Sequence, residues 1–140
     1  MTALSPSDHI AVTQPLYRTF WLIDNGRASE AAAYFAADGA LTFGAGAPKP
    51  GTLSGEQIAQ AMSAREAQRQ VTSRHVLSNV LVDSLGDGRV KVRALLTLYR
   101  TESETLTPDV ASVADIEDIL VRSGDEWKIA ERLIQPIFNR

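Results

Sequence analysis

The 140-residue chain contains no cysteine. That excludes disulfides, thiolate nucleophiles and thiolate metal sites, and it suits a reducing compartment. Histidine is nearly as scarce, with two in all, His9 and His75. His9 lies near an N-terminus expected to be loose, so a metal site built from several imidazoles is out of reach, and no carboxylate cluster stands in for one. Positive charge is not in surplus. A formal net charge of −3 gives no electrostatic ground for binding nucleic acid, which needs clustered Lys and Arg to neutralise phosphates. No apolar run approaches the roughly 20 residues that cross a bilayer, so no membrane partner is expected. The opening segment Met1–Asp8 lacks the basic and apolar stretches of a secretory leader, and the cytoplasm is the expected location.

What remains is an ordinary globular composition, 44% hydrophobic and 22% charged, in a chain long enough to bury a core of its own. No repeat, low-complexity tract or linker divides it, so residues 1–140 read as one domain. Ser7 or Asp8 can cap a first helix running to about Ile23, with Ile10, Leu16, Phe20 and Ile23 at helical spacing and Asn25-Gly26 ending it. Pro15 inside that segment removes a backbone donor and predicts a kink or a later start. Residues 28–37 are alanine-rich and predict a second helix stopped by Asp38-Gly39, followed by a short strand over 40–43. The Gly- and Pro-rich residues 44–53 read as a loop. Ser54-Gly55-Glu56-Gln57 has capping-box form and opens a third helix to about Gln68.

The second half changes period. Residues 72–83, 89–101, 110–122 and 127–138 alternate as long strands, and Gly86-Asp87-Gly88 and Ser123-Gly124-Asp125-Glu126 supply turn chemistry. The fold class is therefore α+β: three N-terminal helices on one face of a strongly curved antiparallel sheet, enclosing a conical hollow suited to a small ligand.

Two residues carry the chemistry. Asp24 stands where the first helix ends, and a carboxylate there opposes the helix dipole, so it is not placed to stabilise that helix. His75 lies in the first long strand. A carboxylate that orients an imidazole is a minimal general acid–base unit; the bland alternatives are a solvated helix end and a core histidine bonded to backbone. Arg74 is adjacent in the strand and should point to the opposite face. Asn79, four residues on, should share the face of His75, either orienting a substrate carbonyl or bonding to backbone. In the next strand Val90, Val92, Ala94, Leu96 and Leu98 form an apolar set that is either core or dimer interface. Thr97 and Tyr99 stand on the other side, where they would line the polar wall of the hollow; one bulge would swap the two faces. Trp21 reads as core or pocket wall. Phe43 with residues 44–50 reads as a cap over the cavity mouth or as plain connection. Asp118 and Arg132 can pair across neighbouring strands as a structural ion pair.

Taken in order, the helix ending at Asp24-Asn25-Gly26, the segment Tyr34-Phe35-Ala36-Ala37-Asp38-Gly39-Ala40-Leu41, Gly55-Glu56-Gln57-Ile58 with Arg65, Ser73-Arg74-His75 through Asn79, Asp118–Arg122 and Trp127–Arg132 resemble the NTF2-like superfamily and, within it, the SnoaL-like group. The resemblance implies a cone-shaped α+β fold and a homodimer formed by outer sheet faces. Within the superfamily, scytalone dehydratase uses an aspartate after the first helix and a histidine in an early long strand, and Asp24 and His75 look like matches to these. A second pocket histidine of that enzyme has no counterpart, and the tyrosine preceding its aspartate is Ile23 here. Fold alone does not give function. The reading is an enzyme of dehydratase, isomerase or cyclase type, needing no cofactor and acting on a small apolar carbonyl or aromatic compound. His75 takes a proton alpha to the carbonyl, Asp24 supports the imidazolium, and Tyr17 or Tyr99 donates to the enolate oxygen. The alternatives are a non-catalytic ligand-binding domain and the small subunit of an aromatic-ring-hydroxylating dioxygenase.

Overall fold

The computed structural model describes residues 3–102 and 109–140. Met1 and Thr2, which entered the reading of the N-terminus, lie outside the described residues. Helix α1 spans Pro6–Asp24. Its N-cap is Ser5, whose hydroxyl accepts from the Asp8 amide while the Asp8 side chain accepts from the Ser5 amide. The cap thus lies two to three residues before the expected Ser7 or Asp8 and satisfies two orphan donors at once. Pro15 stays inside the helix. At the other end Gly26 adopts φ +76°, a left-handed conformation that glycine takes without strain and that turns the chain sharply after α1.

The alanine-rich segment departs from expectation. A short 3-10 turn, η1, covers Ala28–Tyr34, and strand β1 then runs over Phe35–Phe43. Helix propensity gives way to tertiary pairing: Phe35 lies beside Ile129, and residues 40–43 run parallel to Glu131–Ile134. Asp38-Gly39 therefore ends no helix. It sits at an irregularity in β1, where a Cβ on Gly39 would stand 2.9 Å from the Ala36 carbonyl oxygen. The expected loop 44–53 also yields a strand, β2 (Gly51–Ser54), antiparallel to β1. Helix α2 covers Glu56–Ala67, with Gln57 reaching back to accept from the Ser54 amide at 3.0 Å.

The four long strands are β3 (Thr72–Ser84), β4 (Val90–Thr101), β5 (Val110–Ser123) and β6 (Glu126–Asn139). They form an antiparallel meander, and the six-stranded sheet has the order β2-β1-β6-β5-β4-β3. Helix α1 lies across one face. The space beneath it is packed by Val12, Leu16 and Phe20 from α1, Ile58 and Met62 from α2, and Val92, Ala94, Leu96, Ala114, Ile116, Leu120 and Ile129 from the sheet. The other face is open and partly apolar, with Val76, Leu81, Leu95 and Leu133 exposed. No helix among the described residues is long and apolar enough to cross a membrane.

Candidate active site

The C-terminal turn of α1 and the first residues of β3 meet at one place. Asp24 and His75, 51 residues apart in sequence, are joined there twice. The Asp24 Oδ1 atom lies 2.6 Å from His75 Nδ1, and Oδ2 accepts from the His75 backbone N–H at 2.7 Å. Their side chains are 6% and 13% exposed respectively. A third donor, the Ser73 hydroxyl, reaches Oδ1 at 2.7 Å, and that hydroxyl in turn accepts from Arg65 Nη2 at 2.9 Å. Ser73 precedes His75 by two and so shares its face of β3. Arg74 on the other face folds back to donate to the Asp24 main-chain carbonyl at 3.0 Å, satisfying a helix-terminal acceptor.

Helix periodicity supplies the next contact. Phe20 is one turn before Asp24, and its ring stacks on the His75 imidazole with centroids 4.7 Å apart and planes inclined by 29°. One helix face thus delivers both the carboxylate and the aromatic wall. Burial raises the Asp24 pKa, but the hydrogen bonds and charge of His75 and the bond from Ser73 together outweigh it, and the net shift is below the ordinary 3.8. Asp24 is therefore a carboxylate, an acceptor only, and Nδ1 of His75 must be the donor between them. That leaves Nε2 as the ring nitrogen not engaged by Asp24. Nε2 has no partner among the described residues and is not sealed from solvent.

A cavity of about 290 Å³ opens beside Asp24, lined by Ile23, Asp24, Gly26, Arg65, Glu66, Gln68, Arg69 and Val71, and His75 is not among the lining residues. It is more polar than the expected apolar hollow, because side chains fill the space between α1 and the sheet. Burial lowers the pKa of Arg65, as does the charge of Arg100, against an opposing effect of Asp24. Among the described residues no group of three His, Asp or Glu side chains stands together as metal ligands.

The family model of the SnoaL-like domain matches residues 6–133. The chain belongs to the SnoaL-like family. No curated protein matches this SnoaL-like chain by sequence. Among solved structures, Aln2 from a Streptomyces species is similar at 23% identity over 96% of this chain and 94% of that one, with a TM-score of 0.78. A Catenulispora acidiphila protein in complex with S-DNPA is 23% identical over 94% and 95% of the two chains, with a TM-score of 0.76. A proposed scytalone dehydratase from Novosphingobium aromaticivorans is 18% identical over 96% and 87%, with a TM-score of 0.77. These likenesses establish the NTF2-like, cystatin-like α+β fold of the SnoaL-like domain.

The other residues read from sequence as site members stand elsewhere. Tyr17 is 40% exposed on α1 and Trp21 71% exposed; neither bonds to Asp24 or His75, and Trp21 is not a wall of a closed pocket. Thr97 and Tyr99 lie opposite Val76 and Arg74 on the outer face of β4, whereas His75 lies opposite Leu98 on the inner one. Asn79 does not share the face of His75. It occupies a bulge, with φ +55°, and is exposed. Phe43 packs against the core at the end of β1 and is not among the residues lining the cavity. Conversely, Ser73 and Phe20 were legible from the i−2 strand and i−4 helix positions beside His75 and Asp24. Arg65 comes from a separate helix; it was among the residues that carry the family resemblance, but nothing in its spacing gave it a role beside Asp24 and His75.

Asp118 and Arg132 lie opposite each other in β5 and β6, as the strand reading had them. Their side chains are 0% and 1% exposed, so this is no surface pair. The guanidinium makes two 2.8 Å bonds to the carboxylate and one of 2.9 Å to Thr19 Oγ1. It lies 4.7 Å from the Phe20 ring centroid, on the ring that also stacks with His75.

Proposed function

We propose that the chain is a cofactor-independent acid–base enzyme of dehydratase, isomerase or cyclase type, acting on a small carbonyl compound through Asp24 and His75. The carrying observation is the 2.6 Å Asp24–His75 contact with the second imidazole nitrogen unengaged. In the dehydration form, Nε2 removes a proton alpha to the carbonyl and the electron pair passes into an enolate. The bond to a β-hydroxyl then breaks, and the imidazolium returns its proton to the leaving oxygen, releasing one water. Asp24 holds the ring in the required tautomer and stabilises the imidazolium through the same bond. Buried against Phe20, the pair acts where charge is poorly screened by water. This mechanism needs no phenol, and Tyr17 has no part in it.

The test is turnover of β-hydroxy ketones of aromatic polyketide type, followed by loss of water in mass spectrometry. His75→Ala should lower the rate at least about a hundredfold, the lower end for a general acid–base group, with the fold intact by circular dichroism. A wild-type rate in that variant would end the mechanism. The reading includes a homodimer through the open sheet face, supported by exposed Val76, Leu81, Leu95 and Leu133, since exposed apolar patches mark interaction surfaces. Sedimentation should give twice the chain mass, and a monomer at micromolar concentration would refute it.

A further inference from the structure

The residues lining the cavity differ in how far their hydrogen-bonding capacity is used. Asp24 Oδ1 accepts from Ser73 and His75, and Oδ2 accepts from the His75 amide. The Glu66 Oε1 atom accepts from both the amide and the hydroxyl of Ser29, at 3.2 and 2.8 Å. Both acids in the lining are therefore already engaged within the protein. The two cations are not. A guanidinium carries five N–H donors; Arg65 gives one of them to Ser73 Oγ, and Arg69 gives none to any described residue. Neither forms an ion pair with a carboxylate among the described residues, although the charge of Asp24 is felt at Arg65. Arg65 is only half-exposed, and a partly desolvated guanidinium held by a neutral hydroxyl retains strong attraction for an anion. Of the nearby cations, Arg74 donates only to main-chain carbonyls, whereas Arg100 is paired with Glu102.

We infer that the cavity beside Asp24 is a subsite for a small carboxylate, gripped by the Arg65 guanidinium, which Ser73 holds in place, and closed at the rim by Arg69. A carboxylate matches the planar fork of Arg in a two-bond contact. The volume of about 290 Å³ lies at the small end of ligand sites. Ile23, Gly26 and Val71 give the remainder of the lining an apolar side on which a ring or short chain can rest. The carboxylate belongs either to the compound that His75 acts on or to a separate small acid bound next to the pair. The proposal goes beyond the acid–base reading, and its central test involves no turnover.

The probes are benzoate and its neutral isostere benzamide, titrated into the full chain with amide and Arg Nε–H resonances observed by NMR. Benzoate should move the signals of Gly26, Val71 and Arg65, and benzamide should not. Arg65→Gln, which removes the charge and keeps a polar side chain, should weaken benzoate binding about tenfold or more, the loss of a charge-assisted pair. Arg69→Gln changes only an exposed side chain and should weaken binding by a smaller factor. Equal binding of benzamide, or unchanged affinity in Arg65→Gln, would overturn the inference. So would the absence of any shift at about 10 mM benzoate, where a site with a Kd of about 1 mM is filled. The source of the carboxylate is read from turnover and rests on the acid–base function. Competitive inhibition by benzoate assigns the subsite to the substrate's own carboxyl, and a change in turnover without competition assigns it to a separate acid.

Discussion

Asp24 ends α1, where the helix dipole disfavours a negative charge, yet its pKa lies below 3.8. The local bonds from His75 and Ser73 must therefore outweigh both the dipole and the burial. The effect on stability has a definite sign. A carboxyl whose folded pKa is depressed contributes stability at pH values above its unfolded pKa, and loses it as pH falls through the lower, folded value. Asp24→Asn removes that contribution and leaves every other carboxyl in place. The variant should be less stable than the wild type at pH values above the ordinary carboxyl range, and the gap in urea midpoints should narrow as pH falls below 3.8. A gap that stays constant through the acid range would show that the Asp24 charge is not what the pair contributes to the fold.

At the scale of the element, β3 shows how one residue redirects a face. Ser73, His75 and Leu77 turn inward, but Ser78 pairs with Leu95 and Leu81 with Arg93, so β3 carries one residue more than β4 between these points. Asn79 takes up the surplus in a left-handed conformation, and Val80 and Val82 then return to the core side. Left-handed backbone costs a residue with a Cβ roughly 1–2 kcal/mol, less for Asn and nothing for Gly. Asn79→Gly should be neutral or slightly stabilising in urea unfolding, and Asn79→Val should lose about 1–2 kcal/mol. Equal stability of the two would show that the bulge does not fix the conformation of this position.

The same bulge explains what the sequence could and could not reveal. Strict alternation made the four long strands legible to within one residue at each end. Periodicity put Asp24 at the end of one segment and His75 inside another, but it carried no information on whether they meet; only the resemblance to scytalone dehydratase paired them. Asn79 was misplaced because a period-2 rule carries no mark of an inserted residue. The 28–37 stretch was misread because alanine favours a helix locally, and nothing local records that Phe35 will lie beside Ile129. Thr97 and Tyr99 were misplaced because an apolar set such as Val90 to Leu98 fits a core and a dimer interface equally, so alternation alone does not say which face turns inward.

At the scale of the whole molecule, the most expensive polar feature lies far from solvent. Arg132 and Asp118 are fully buried between β5, β6 and α1, with every charged oxygen of Asp118 bonded and the guanidinium flanked by Phe20 and Phe35. A buried pair gives back little net stability over apolar groups of the same size, but removal of one partner strands the other. Arg132→Met and Asp118→Leu should each cost about 3–5 kcal/mol, and the double variant should recover most of that loss. Urea denaturation of the four proteins measures this as a thermodynamic cycle. Phe20 ties the same cluster to the imidazole, so the double variant separates two roles. If Arg132 serves the fold alone, the repacked protein keeps the wild-type rate and pH profile. If its place behind Phe20 fixes the attitude of His75, the pH profile moves although stability has been restored. A double variant no more stable than the worse single one would instead mean that the two strands do not share this interaction.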